Sequence, residues 1–184
     1  MVVSAETYER VALEDGDEQW ELVCGRLRKK PPMTTPHYDT IDALDDTLRR
    51  QLDRTQFALR VDDGHLATAT GSYLIPDLAV IPQEYRRRLR REHPTGLEIL
   101  VEPLPLVVEV WSPSTGSYDV EVKLPEYQRR GDAEIWLIHP YERWLRAWRR
   151  QGDGSYTETL YRGDAVIEPV ALPGVHVALA ALFE

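Results

Sequence analysis

One segment, Leu106-Val107-Val108-Glu109-Val110-Trp111, constrains the fold more than any other. Its near-continuous apolar and β-branched run predicts a strand covered on both faces, which calls for a sheet with a layer on either side. Glu109 interrupts that run, and a carboxylate buried there without a partner would lose several kcal/mol of hydration. The strand therefore demands a cation. A chain of 184 residues is long enough to build the required layers as one domain, residues 1–184, without disulfide or metal staples. Cys24 is the only cysteine, which excludes an intrachain disulfide and any CxxC pair.

The rest of the chain supplies the layers. Residues 7–13 read as a short helix within an acidic lead-in, residues 1–20, and residues 20–24 and 26–28 alternate as a strand pair with Gly25 near the turn. Ile41, Leu44, Leu48 and Leu52 form a single apolar stripe, predicting an amphipathic helix over about 36–54. Strand candidates follow at 57–61, 66–70 and 77–81, the last between Pro76 and Pro82. A helical pattern covers 117–130 with Gly131 placed as its C-cap, and Pro125 predicts either a kink or a helix start. Segments 135–138, 144–149 and 156–161 read as further strands, and 178–183 as a small terminal helix. This order places helices around a mixed sheet, an α/β or α+β domain.

Charge is uneven along the chain. The net charge is −9, yet residues 1–21 carry Glu6, Glu9, Glu14, Asp15, Asp17, Glu18 and Glu21 against Arg10 alone, a balance of −6. The remainder stands at −3, with basic clusters at 26–30, 86–91 and 143–150 that leave room for a phosphate-binding face. The apolar runs are too short for a membrane span, and Met1 to Glu6 lack a basic, then apolar, secretory leader; a cytoplasmic location and no membrane partner are the expectation.

Asp77 opens a strand directly after Pro76, on the face of Ala79 and Ile81, while Glu109 shares a face with Val107 and Trp111. If those strands pair with these faces together, both acids converge at one sheet end. Two oxygen ligands with waters suit Mg²⁺. Asp119, Lys123 and Tyr127 are spaced by four and form one helical stripe, and Lys123 is the only lysine after Lys30 in an arginine-rich chain. A compact ammonium there can orient a water or neutralise charge.

Pro76-Asp77, then Glu109 in an apolar strand, then a lysine on the next helix resembles the PD-(D/E)XK nuclease superfamily. Glu21-Leu22-Val23-Cys24-Gly25-Arg26-Leu27, Pro36-His37, Tyr73-Leu74-Ile75-Pro76-Asp77-Leu78-Ala79-Val80, Val107-Val108-Glu109-Val110-Trp111-Ser112-Pro113-Ser114-Thr115, Lys123-Leu124-Pro125-Glu126-Tyr127 and 131–139 are similar to the Uma-type restriction endonuclease family, over about residues 7–183. The resemblance implies a restriction-endonuclease-like fold and a Mg²⁺- or Mn²⁺-dependent endonuclease acting on DNA, leaving a 5′-phosphate and a 3′-hydroxyl. It implies Asp77 and Glu109 as metal ligands, the Val110 main-chain carbonyl as a third, and Lys123 as the catalytic ammonium. The superfamily lysine usually lies two positions after the acid, where this chain has Trp111, so Lys123 stands for a migrated lysine. Glu21 and His37 match further polar positions of the family, with Asp119 and Tyr127 expected to support the site, and His139 stands where relatives often carry aspartate. Cutting both strands of a duplex needs two such sites, hence an expected homodimer.

Taken singly, each residue has a structural reading. Asp77 can end a turn, Glu109 and Lys123 can form a structural ion pair, Glu21 can be solvated and His37 can lie at a helix start. The aromatic residues Trp111, Trp136, Trp144 and Trp148 read as core or sheet surface. The alternative to an enzyme is a nucleic-acid-binding or regulatory module that retains the fold without activity.

Overall fold

The computed structural model describes residues 2–16 and 18–184, so Met1 and Asp17, one of the seven acids near the N-terminus, lie outside the described residues. The chain opens with α1 (Ala5–Glu14), the hairpin β1 (Trp20–Val23) and β2 (Arg26–Lys29), and α2 (Thr35–Gln51). Strands β3 (Phe57–Val61), β4 (His65–Ala67), β5 (Tyr73–Leu74) and β6 (Leu78–Pro82) follow, then α3 (Gln83–Glu92), β7 (Ile99–Leu100) and β8 (Leu106–Val110). A helical connection of α4 (Gly116–Tyr118), a π-helical turn (Asp119–Lys123) and α5 (Leu124–Arg130) leads to β9 (Glu134–His139), β10 (Trp144–Arg150) and β11 (Tyr156–Arg162). The pair β12 (Val166–Ile167) and β13 (Val177–Ala178) and a 3-10 turn (Ala180–Phe183) complete it.

Every residue of β8 is buried, as its apolar run predicts. It is an inner strand of a mixed six-stranded sheet of order β11-β10-β9-β8-β6-β3. The β8–β9 pair is parallel, and the helical connection makes the crossover that parallel pairing needs. Strand alternation then divides the core in two. Leu106, Val108 and Val110 pack with the α2 stripe Ile41, Leu44, Leu48 and Leu52 and with Leu172, Val177 and Leu182 near the C-terminus. Val107 faces the other way, with Ala79, Ile81, Ile135 and Leu137, against Leu66, Leu74, Leu100, Tyr85 and Tyr127. Leu66, Leu74 and Leu100 belong to a second sheet of order β2-β1-β5-β4-β7, which covers the face on which Glu109 lies.

Local chemistry explains the boundaries. Thr34 and Pro36 start α2, and Cys24 and Gly25, with φ of 48° and 76°, form the tight β1–β2 turn. The predicted strand at 66–70 is confined to His65–Ala67, because Thr68 to Ser72 close a turn. The Arg86–Arg91 run, which looks like a low-complexity patch in sequence, is helical: Tyr85 and Leu89, four apart, pack inward and the arginines ring the rest. Pro125 follows directly on the π-helical turn within a backbone that is helical from Gly116 onward, so it neither starts nor stops the helix, and Gly131 ends α5 at φ 81°. The expected terminal helix is reduced to the 3-10 turn. None of the described helices is long and apolar enough to cross a membrane.

The helical connection begins against Trp111, and a Cβ on Gly116 would run into the indole ring. Gly116→Ala is therefore expected to lower stability by about 1–3 kcal/mol in urea unfolding, because the overpacked indole must move.

Candidate functional site

The antiparallel β6–β8 register pairs Leu78 with Val108 and Ala79 with Val107; continued by one residue, it sets Asp77 opposite Glu109. Both acids are buried, at 2% and 4% exposure. Asp77 Oδ2 accepts from Val110 N at 2.7 Å and from His37 Nε2 at 3.0 Å, and Asp77 Oδ1 lies 2.8 Å from Lys30 Nζ. Glu109 Oε1 accepts from the Tyr127 hydroxyl at 2.6 Å and sits 3.1 Å from Lys123 Nζ.

Lys123 joins the two layers. Its Nζ donates to the Ile75 carbonyl at 2.8 Å and pairs with Glu21 Oε1 at 3.0 Å as well as with Glu109, so three oxygens surround an ion with three protons. Glu21 is not solvated: it is 1% exposed on β1, accepts from Ile75 N at 2.9 Å and from the Tyr118 hydroxyl at 2.9 Å, and lies 3.8 Å from Arg28. His37 is likewise fully buried rather than on the surface. Asp119 completes the cluster, and its Oδ2 is buried without a hydrogen-bond partner.

Burial and pairing push these groups apart. Burial raises the Glu109 carboxyl well above the usual range; Lys123 opposes the shift, while Asp77 and Asp119 add to it. Burial also works against ionised Asp77, but Lys30 and the hydrogen bond from His37 outweigh it and hold its carboxyl well below the ordinary value. Burial acts against the Lys123 ammonium, yet Glu109 and Glu21 raise it well above an ordinary lysine. Asp119 is pushed up to about 6, chiefly by burial. The environments thus push the proton affinities of two neighbouring acids in opposite directions, Asp77 down and Glu109 up, the kind of divergence found at catalytic sites.

The donor set suits a hard divalent cation. Asp119 Oδ2 accepts no hydrogen bond and Asp77 Oδ1 meets only the Lys30 ammonium, and Glu21, Asp77, Glu109 and Asp119 line the same cleft as Arg28, Lys30 and Lys123, four acids against three cations. Because Val110 N–H turns toward Asp77, strand alternation turns the Val110 carbonyl to the same edge. Among the described residues no three His, Cys, Asp or Glu side chains form a metal cage, so the candidate ligands remain two carboxylates and a main-chain oxygen.

The family model Uma2, described as "Putative restriction endonuclease", matches residues 5–180. The chain belongs to the Uma2 family. Membership supports a nuclease role. The fold is similar to a crystal structure from Anabaena variabilis ATCC 29413, titled "a putative nuclease belonging to DUF820", with 17% identity over 91% of this chain and 90% of that one and a TM-score of 0.70. No curated protein matches the chain.

The structure brings together Glu21, His37, Asp77, Glu109, Val110, Asp119, Lys123 and Tyr127, all singled out in the sequence. His139 stands apart from the acids, stacked on Trp111 with ring centroids 4.3 Å apart. Trp136, Trp144 and Trp148 are core residues. Lys30 and Tyr118 were not foreseen; the available signal was scarcity, since the Uma2 chain has only Lys29, Lys30 and Lys123 as lysines and two of them enter the site.

The raised Asp119 carboxyl binds its proton more tightly in the folded state, so its contribution to stability falls as pH rises from about 4 to about 6. Measured by urea unfolding, the stability of Asp119→Asn relative to wild type is expected to be higher at pH 7 than at pH 4, by roughly 1–3 kcal/mol. A pH-independent difference contradicts the assignment.

Proposed function

We propose that this Uma2 protein is a metal-dependent endodeoxyribonuclease that hydrolyses DNA phosphodiester bonds at the Asp77, Glu109 and Lys123 cluster. The observation that carries this reading is the convergence of two buried carboxylates from adjacent strands, with one ammonium 3.1 Å from Glu109. Family membership supports the same reaction class.

Asp77, Glu109 and the Val110 carbonyl would hold Mg²⁺ or Mn²⁺. When bound, the ion supplies Lewis acidity toward a phosphate oxygen and acidifies a water. His37 and Val110 N fix Asp77 through Oδ2, which leaves Oδ1 directed to a cation. Tyr127 holds Glu109 in register through its hydroxyl. Lys123, seated by Glu21 and the Ile75 carbonyl, would donate toward the attacking water or the developing phosphorane charge. Each chain carries one such site, so duplex cleavage calls for two copies, and a homodimer is part of the proposal.

The test is relaxation and linearisation of supercoiled plasmid with Mn²⁺. Wild type is expected to cut, while Asp77→Asn, Glu109→Gln and Lys123→Met, each with an unchanged circular dichroism spectrum, lose about 100-fold or more in rate. Equal cutting by wild type and Glu109→Gln would remove the site from the reaction. Binding of plasmid without cutting by any of the proteins would favour a nucleic-acid-binding module.

A further inference from the structure

Lys30 has no part in the cleavage scheme above, yet it occupies the position that scheme needs. Its side chain is only 6% exposed, and Nζ lies 2.8 Å from Asp77 Oδ1 and 2.5 Å from Asp62 Oδ1. The other oxygen of Asp77 is taken by Val110 N and His37, so Oδ1 is the face on which any further cation must sit. The ammonium is already there.

Asp62 is built as the outer partner. It follows the last residue of β3 in a left-handed conformation, φ 48°, and its N–H donates to the Asp77 carbonyl at 2.9 Å. The Gln19 amide donates to its carbonyl in turn. These main-chain bonds hold the Asp62 side chain between Asp77 and solvent, and at 28% exposure it is far wetter than Asp77 at 3%. Lys30 thus bridges an inner acid and an outer one. A lysine suits that position because its charge is compact and its four-carbon stem is flexible.

We propose that Lys30 is a tethered cation that holds the ligand oxygen of Asp77 and retreats onto Asp62 when a divalent ion enters, and so sets the metal affinity of the site. The proposal rests on the metal-site reading given above. A divalent ion and an ammonium cannot both sit on Asp77 Oδ1, because like charges a few ångströms apart in a partly desolvated cleft repel strongly. Entry of the ion therefore requires Lys30 to leave, and Asp62 keeps the departing charge paired. Without Lys30, Asp77 keeps only its bonds to Val110 N and His37, and its buried charge is left undercompensated, which favours an incoming cation.

Calorimetric titration of the full chain with MnCl₂ alone tests this. Lys30→Met and Lys30→Gln, two variants that remove the charge with different polarity, are both expected to bind Mn²⁺ about tenfold or more tighter than wild type. Asp62→Asn, whose side chain tolerates the same left-handed backbone, is expected to bind several-fold more weakly, since Lys30 then has Asp77 as its only partner. That weakening is expected to vanish when Asp62→Asn is combined with Lys30→Met, an epistasis that simple loss of a nearby negative charge would not produce. Unchanged or weaker binding by both Lys30 variants overturns the role of Lys30 and leaves the metal site standing, as does an Asp62→Asn effect that persists at full size in the double variant. Absence of Mn²⁺ binding in wild type and in both Lys30 variants overturns the metal site itself, and this inference with it.

Discussion

The arrangement depends on the neutralisation of Glu109. A carboxylate in the middle of a strand covered on both faces is a severe cost unless a cation and hydrogen-bond donors meet it, and breaking such a buried pair by removing one partner typically costs about 3–5 kcal/mol. Lys123 and the Tyr127 hydroxyl meet it from the helical connection between β8 and β9. Lys123 in turn needs more than one acid, and Glu21 and the Ile75 carbonyl supply the rest from the small sheet and from the segment entering β6. One buried charge therefore ties together the two sheets and the crossover helix.

A network of this kind is weak evidence for stability, since well-packed apolar residues in its place are often as stable or more so. It makes better sense as a device for holding charges in fixed positions. Asp77 and Glu109 sit across one strand pair but in different electrostatic settings: Lys30 and His37 lower the proton affinity of Asp77, whereas burial and the neighbouring acids raise that of Glu109 against the pull of Lys123. Two acids with diverging proton affinity, set beside a lysine held by three oxygens, are the grouping on which the proposed phosphodiester hydrolysis rests.

Much of this was legible in the sequence because it follows from short-range periodicity. The two-residue alternation of strands put Asp77 and Glu109 on matching faces, and the four-residue spacing of Asp119, Lys123 and Tyr127 survives the π-helical turn well enough that all three are buried around Glu109. The environments of Glu21, His37 and Lys30 were not legible in the same way. Glu21 is 102 positions from Lys123, and its burial is decided by the packing of one sheet on another, for which a four-residue strand carries no signature. His37 looks like any polar residue near a helix start until α2 is laid against the end of β6. Lys30 reads as the end of a basic surface stretch, and only the main-chain path through Asp62 reveals a buried ammonium.

The central claim is that this buried acid and lysine cluster is a cation-binding centre, and anomalous diffraction from crystals of the protein grown with MnCl₂ addresses it directly. The account predicts a manganese peak on the edge shared by β6 and β8, within about 2.0–2.3 Å of one oxygen each from Asp77 and Glu109, with the Lys30 ammonium moved off Asp77. A fully occupied manganese peak elsewhere on the molecule, with both lysines still seated on their acids, would contradict it.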